Sequence, residues 1–159
     1  MTRVVVIGIG QSLRGDDAVG LEAVRQWQEI FPETANEYGV RIEAVGLPGL
    51  RLLDMLENAD AAILVDAVQS SASAGTIHHL NEKDLSTITT VAKSAHGWGV
   101  AETLEMGRAL GKTNGTVIRL IGIEIECMNL GSSLSESVQA SLTSACQAIQ
   151  EEVLSIINV

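Results

Sequence analysis

The chain has 159 residues, of which 46% are hydrophobic, 19% charged and only 3% aromatic. This composition is typical of a folded globular protein and argues against intrinsic disorder. The 20 acidic residues outnumber the 10 basic ones and give a net charge of −10, which argues against nucleic-acid binding because phosphate contacts need a basic face.

Short apolar runs alternate with amphipathic segments along the chain. The apolar runs predict four strands and one edge strand: Arg3–Ile9, Val40–Val45, Ala61–Val68, Thr116–Ile125 and the edge strand Thr76–Leu80. Apolar residues spaced by three or four predict helices over about Asp16–Phe31, Leu50–Leu56, Val100–Leu110 and from Leu134 onward. The polar stretch 81–95 is expected to form an irregular loop over the site.

This order predicts one α/β domain over residues 1–159, a three-layer sandwich in which helices cover both faces of a mostly parallel, twisted sheet. We expect a cytoplasmic protein without membrane contact, because the sequence shows neither a signal-peptide pattern nor a membrane-length apolar run. Open sheets of this kind bind ligands beyond the carboxyl ends of their strands. The residues that follow the apolar runs are therefore the candidates for function.

The loop after the first strand is rich in glycine and ends in two acids, Asp16 and Asp17. It lacks the third glycine of a dinucleotide fingerprint and the lysine of a phosphate loop, and its carboxylates would repel a pyrophosphate. Asp16 is interpreted as a helix cap, a role that stabilises by about 0.5–2 kcal/mol. Asp17, which gains less from the same cap, is expected to point into the cleft.

Two further residues occupy the expected edge of the sheet, Asp66 at the end of the central apolar run and His96 before a predicted helix. The alternative for Asp66 is a structural carboxylate bonded to loop amides, and for His96 a structural or merely exposed imidazole. Two carboxylates and one imidazole form an oxygen and nitrogen set that suits a divalent ion such as nickel or zinc. His78 and His79 are adjacent on the edge strand and are interpreted as surface residues.

Taken together, three segments resemble the hydrogenase maturation endopeptidases of nickel–iron hydrogenases. The resemblance covers essentially the whole chain and rests on Gly8-x-Gly10 with Leu13, Asp16-Asp17-x-x-Gly20, Val65-Asp66-Ala67 and Ser94-x-His96. Three positions depart from the family pattern: Gln11 replaces an asparagine, Ala18 replaces a glycine, and the loop 44–49 lacks the acid of the family's Asp-Gly-Gly-Thr.

The resemblance implies a phosphorylase/hydrolase-like fold and a peptidase that removes the C-terminal extension of a hydrogenase large-subunit precursor. It further implies that Asp17, Asp66 and His96 contact the nickel already installed in that precursor, so that only the nickel-loaded form is cut. No metal is expected to be permanently bound, and zinc or cadmium can take the place of nickel. We expect the protein to act as a monomer on the C-terminal region of the precursor.

Two mechanisms remain open at this stage. Asp17 and Asp66 can act as general base and acid beside a metal that polarises water or the scissile carbonyl, or they can share one proton as an aspartic-type dyad. The alternative function is a non-catalytic metal-binding accessory protein on the same fold, which would keep the three residues without cleaving any precursor.

Overall fold

The computed structural model describes residues 1–87, 89–90, 99–126 and 133–158. It contains six strands within these residues: β1 (Val4–Ile9), β2 (Val40–Val45), β3 (Ala61–Gln69), β4 (Ile77–Asn81), β5 (Thr89–Thr90) and β6 (Val117–Glu124). Five α-helices accompany them: α1 (Val19–Ile30), α2 (Pro32–Ala35), α3 (Leu50–Met55), α4 (Val100–Ala109) and α5 (Glu136–Ile157). No helix of the described residues is both long and apolar enough to cross a membrane.

The strands form one mixed sheet in the order β2-β1-β3-β6-β4, with β5 paired to the end of β3. The first four of these strands are parallel, whereas β4 and β5 run antiparallel to their neighbours. β2 follows β1 in sequence and lies on one side of it in the sheet. The chain then crosses over β1, and β3 lies on its other side. The gap between β1 and β3 is therefore the point where the strand order reverses, which is where such sheets bind ligands.

Alternate residues of the central strands enter two separate cores, as the two-residue period of a strand requires. On one face Val4, Val6, Ile63 and Val65 pack with α1 and α5. On the other face the intervening residues, including Val5, Ile7 and Leu64, pack with α3 and α4. These two cores confirm the predicted α/β class, with a mostly parallel sheet between two layers of helices.

A buried polar link joins three helices on the α1 and α5 face. The indole N–H of Trp27 donates to Oε1 of Gln150 at 2.9 Å, and Nε2 of Gln150 donates to Oγ1 of Thr34 at 2.8 Å. Trp27 has no exposed surface, so this hydrogen bond satisfies an N–H that burial would otherwise leave without a partner. The link fixes α1, α2 and α5 relative to one another.

Most predicted elements are confirmed to within one or two residues, and two predictions need correction. The first helix does not begin at Asp16, because Gly15–Ala18 forms a separate 3-10 turn before α1. The stretch 81–95 is not irregular throughout, since Glu82–Thr87 is a 3-10 helix and β5 follows it. The polar composition suggested a loop, but the backbone of β5 forms a strand because it pairs with Val68 and Gln69 of β3.

Candidate active site

Two glycines allow the loop after β1 to reach the gap between β1 and β3. Gly10 has a φ of 151°, and a Cβ there would lie 2.0 Å from the carbonyl oxygen of Asp17. A Cβ on Gly20 would lie 2.3 Å from the carbonyl oxygen of Val65 and 2.5 Å from that of Ile9. A side chain at either position would clash with these carbonyl oxygens, so only glycine fits at Gly10 and Gly20. The 3-10 turn between these two glycines is therefore held against the carboxyl end of β3.

Asp17 lies in that 3-10 turn and is almost completely buried, with 1% of its surface exposed. Its Oδ2 accepts a hydrogen bond from the backbone N–H of Gln11 at 3.2 Å, while Oδ1 has no partner among the described residues. Burial raises the pKa of Asp17, and the Gln11 N–H and the positive charge of Arg14 offset part of this rise. Asp17 thus faces the interior of the protein, and its predicted place in the ligand cleft stays a prediction.

Asp66 belongs to β3 and has no exposed surface. Neither carboxyl oxygen has a hydrogen-bond partner of acceptable geometry among the described residues. Burial raises the pKa of Asp66 well above its ordinary value, the negative charge of Asp17 raises it further, and the Ala67 backbone N–H opposes both effects. The two-residue period directs Asp66 to the same face as Leu64 and Val68, the face covered by α3 and α4.

Asp17 and Asp66 therefore both lie at the carboxyl end of β3, close enough for the negative charge of Asp17 to raise the pKa of Asp66. Burying carboxyl oxygens without hydrogen bonds is unfavourable, so a pair that keeps three such oxygens is more typical of a reaction or binding site than of a structural contact. Two adjacent carboxyl groups with raised pKa values can hold one proton between them and exchange it with a substrate. Their three free oxygens are also suitable ligands for a divalent cation.

His96, the third predicted site residue, lies outside the described residues. Among the described residues no group of three or more histidine, cysteine, aspartate or glutamate side chains is arranged to hold a metal ion. Of the three predicted metal ligands, only Asp17 and Asp66 lie within the described residues, and their free oxygens fit such an ion. The predicted role of His96 stays a prediction.

Asp16 differs from its neighbour, and its interpretation as a helix cap is wrong. It lies inside the 3-10 turn, whose N-cap is Arg14, and the N-cap of α1 is Ala18. Its oxygens accept instead from the Glu126 backbone N–H at 2.9 Å and from the Ser135 backbone N–H and Oγ at 2.7 and 2.8 Å. Asp16 therefore ties the first loop to the end of β6 and the beginning of α5.

Sequence reasoning missed a fourth buried acid, Glu124 at the carboxyl end of β6. It accepts from the backbone N–H and Oγ of Ser70 at 2.7 and 2.5 Å, and its Oε1 lies 3.0 Å from Nε2 of His78. The His78 side chain is only 20% exposed, so its interpretation as a surface residue is wrong, whereas His79 is 49% exposed. Glu124 ends an apolar run, the same signal that identified Asp66.

Comparison with known proteins identifies the family. Residues 23–152 match the model of the HycI family, described as hydrogenase maturation protease. The chain belongs to the hydrogenase maturation protease family. It is 31% identical over 152 residues to the hydrogenase expression/formation protein HupD of Rhodobacter capsulatus, covering 94% of this chain and 70% of that protein.

A second curated relative agrees with this assignment, and a solved structure shares the fold. The hydrogenase 2 maturation protease of Escherichia coli is 28% identical over 150 residues, which cover 92% of this chain and 88% of that protein. The solved structure of the hydrogenase maturating endopeptidase HybD from E. coli superposes with a TM-score of 0.79 at 24% identity, covering 96% and 92% of the two chains. At that identity the structural likeness shows the fold, which is the one predicted here.

Proposed function

We propose that this chain is an endopeptidase that removes the C-terminal extension of a nickel-loaded nickel–iron hydrogenase large-subunit precursor. The observation that carries the proposal is the pair of buried carboxyl groups, Asp17 and Asp66, which keep three oxygens without a hydrogen-bond partner among the described residues at the switch point of the sheet. Membership of the hydrogenase maturation protease family supports a peptidase and a hydrogenase precursor as its substrate. The nickel requirement and the C-terminal cleavage point are our inference.

The nickel is part of the substrate in this proposal, and no cofactor resides in the protein. Asp17, Asp66 and His96 would hold the ion, which supplies positive charge that attracts electron density from the scissile carbonyl. Oδ1 of Asp17 and one oxygen of Asp66 fit this role, and the other oxygen of Asp66 can carry a proton. Zinc or cadmium would bind the same donors.

The chain on either side of His96 is consistent with that assignment. Thr90 pairs with Val68, two residues beyond Asp66 on the same strand. A segment of six residues spans at most ~20 Å when fully extended, which limits how far His96 can lie from Thr90. Chain length therefore allows His96 to reach Asp66.

Peptide hydrolysis needs a group that accepts a proton from the attacking water and one that donates a proton to the leaving nitrogen. We assign the first role to Asp17, whose charge is favoured by the Gln11 N–H and by Arg14. We assign the second to Asp66, because burial and the Asp17 charge favour its protonated form. After hydrolysis Asp17 carries a proton and Asp66 has lost one. Asp17 then releases its proton to solvent and Asp66 takes one up from solvent, which restores the starting state.

The test is to incubate the protein with nickel-loaded and nickel-free precursor and to weigh the products by mass spectrometry. We expect cleavage of the nickel-loaded form alone, and loss of cleavage in Asp17→Asn, Asp66→Asn and His96→Ala. Equal cleavage of both precursors by the wild type would remove nickel from the proposal and leave a peptidase. Binding of the ion without any cleavage would favour the accessory-protein alternative.

A further inference from the structure

Most basic residues described in this acidic chain form ion pairs, but two arginines do not. Six of them form ion pairs with carboxylates: Arg3, Arg25, Arg41, Arg108, Lys112 and Arg119. Among the described residues, Arg14 and Arg51 have neither an ion pair nor a side-chain hydrogen bond. With 20 acids for 10 bases, an unpaired arginine is unexpected, and both of these lie at the same edge of the sheet.

Each unpaired arginine follows an exposed leucine. Leu13 precedes Arg14 in the loop after β1 and is 70% exposed, and Leu50 precedes Arg51 at the start of α3 and is 62% exposed. We call these four residues the Leu-Arg rim. Large apolar side chains with this exposure beside unpaired cations are typical of a surface that another molecule covers.

The Leu-Arg rim lies next to the candidate site. β1 and β2 are parallel neighbours whose ends are joined by a hydrogen bond of 3.0 Å from the Gly10 N–H to the Val45 carbonyl oxygen. Both Leu-Arg pairs follow shortly after these two ends. Arg14 is also close enough to Asp17 for its charge to lower the pKa of that carboxyl group.

We propose that the Leu-Arg rim binds the C-terminal extension of the precursor through alternating apolar and carboxylate groups of the peptide. This inference rests on the proposed function and adds to it the chemical class of the peptide that the site selects. Elsewhere the net charge of −10 repels an acidic segment, so the two free arginines single out this edge. Guanidinium groups bind carboxylates through paired hydrogen bonds, which gives orientation as well as attraction.

The Leu-Arg rim is tested with a synthetic peptide of alternating leucine and glutamate with a free C-terminal carboxylate. The comparison peptide carries glutamine and an amidated terminus. Calorimetry measures the binding of both peptides to the wild type, to the double variant Arg14→Gln/Arg51→Gln and to Lys112→Gln. The last variant loses one positive charge where the double variant loses two, and Lys112 lies at the opposite edge of the sheet, before β6.

We expect the glutamate peptide to bind the double variant on the order of tenfold more weakly than the wild type, as two partly exposed ion pairs would give. Lys112→Gln should bind like the wild type, and the glutamine peptide should not distinguish the three proteins. Equal binding of the glutamate peptide to wild type and double variant, or no peptide binding at all, would overturn the inference.

Cleavage of nickel-loaded precursor is measured in parallel on the same protein samples. Precursors with an acidic extension should show a raised KM in Arg51→Gln, with kcat retained, whereas a precursor with a neutral extension should not respond. If the wild type cleaves no precursor, the proposed function fails, and the extension is not the occupant of the Leu-Arg rim. If the wild type cleaves the precursors with the acidic and the neutral extension, and KM for neither changes when Arg51 or Arg14 is replaced, the inference fails and the proposed function stands.

Discussion

Four acidic side chains are buried to the same degree in this protein and fall into two groups. Asp16 and Glu124 are 0% and 1% exposed, and Asp17 and Asp66 are 1% and 0% exposed. The first two accept hydrogen bonds from backbone and hydroxyl donors. The second two retain three oxygens without a partner among the described residues.

The contrast shows that burial alone does not identify a functional acid. A buried carboxylate with several donors stabilises the fold through charge-assisted hydrogen bonds. A buried carboxyl group without donors makes folding less favourable, and its raised pKa leaves a proton available for chemistry. Asp16 and Asp17 are adjacent in sequence, yet they belong to different groups because their side chains meet different elements.

Replacing Asp66 by asparagine should give the largest effect, a loss of about 10²–10⁴-fold in kcat on nickel-loaded precursor. The neutral amide resembles the protonated carboxyl group in shape but cannot donate an acidic proton. Stability should change by less than about 1 kcal/mol or increase, because no hydrogen bond among the described residues is lost. Cleavage assays and urea unfolding of the same samples measure both quantities.

Asp17→Asn provides the matched second variant and should behave in the same way. The opposite result would be a variant at either position that is strongly destabilised but whose folded fraction keeps full activity. That result would show that Asp17 and Asp66 stabilise the fold and do not act in the reaction.

Removal of the Asp16 carboxylate should lower the free energy of unfolding by about 3–4 kcal/mol, because three donors lose their acceptor inside the protein. The donors are the Glu126 N–H and the N–H and Oγ of Ser135. Urea unfolding of Asp16→Ala measures the change. A loss below about 1 kcal/mol would show that these hydrogen bonds contribute no more than an ordinary cap does.

Glu124→Gln should lower the free energy of unfolding by about 1–3 kcal/mol, less than the Asp16 variant, since the amide keeps one acceptor oxygen. The affected contacts are those to Ser70 and His78. Glu126→Gln is the control, because that side chain is exposed and its change should stay within about 0.5 kcal/mol. Equal effects of the two substitutions would argue against a structural role for Glu124.

The last prediction concerns pH. Asp66 keeps its proton in the folded state above the ordinary value of 3.8, while the unfolded chain releases it, so the folded state binds more protons. Stability of the wild type relative to Asp66→Asn should therefore fall as pH rises above that value, by at most ~1.4 kcal/mol per pH unit. Urea unfolding at several pH values measures this difference, and a difference that grows with pH would contradict the raised pKa.

Much of this architecture is predictable from sequence because it depends on local patterns. The apolar run at β3 and the position of Asp66 at its end follow from hydrophobic periodicity and from the rule that ligands bind beyond the carboxyl ends of strands. The partners of Asp16 do not follow, because Glu126 and Ser135 are more than a hundred positions away. The close approach of Gly20 to the Val65 carbonyl oxygen does not follow either, because it joins two distant parts of the chain.

The buried indole of Trp27 gives the protein an internal optical reporter. The chain has two tryptophans, and the other, Trp98, lies two positions after the predicted ligand His96. A Trp98→Phe variant would leave the fluorescence of Trp27 alone, from a ring with no exposed surface that donates to Gln150. Unfolding would expose that ring to water and shift its emission to longer wavelength, so one spectrum would follow the packing of α1 against α5.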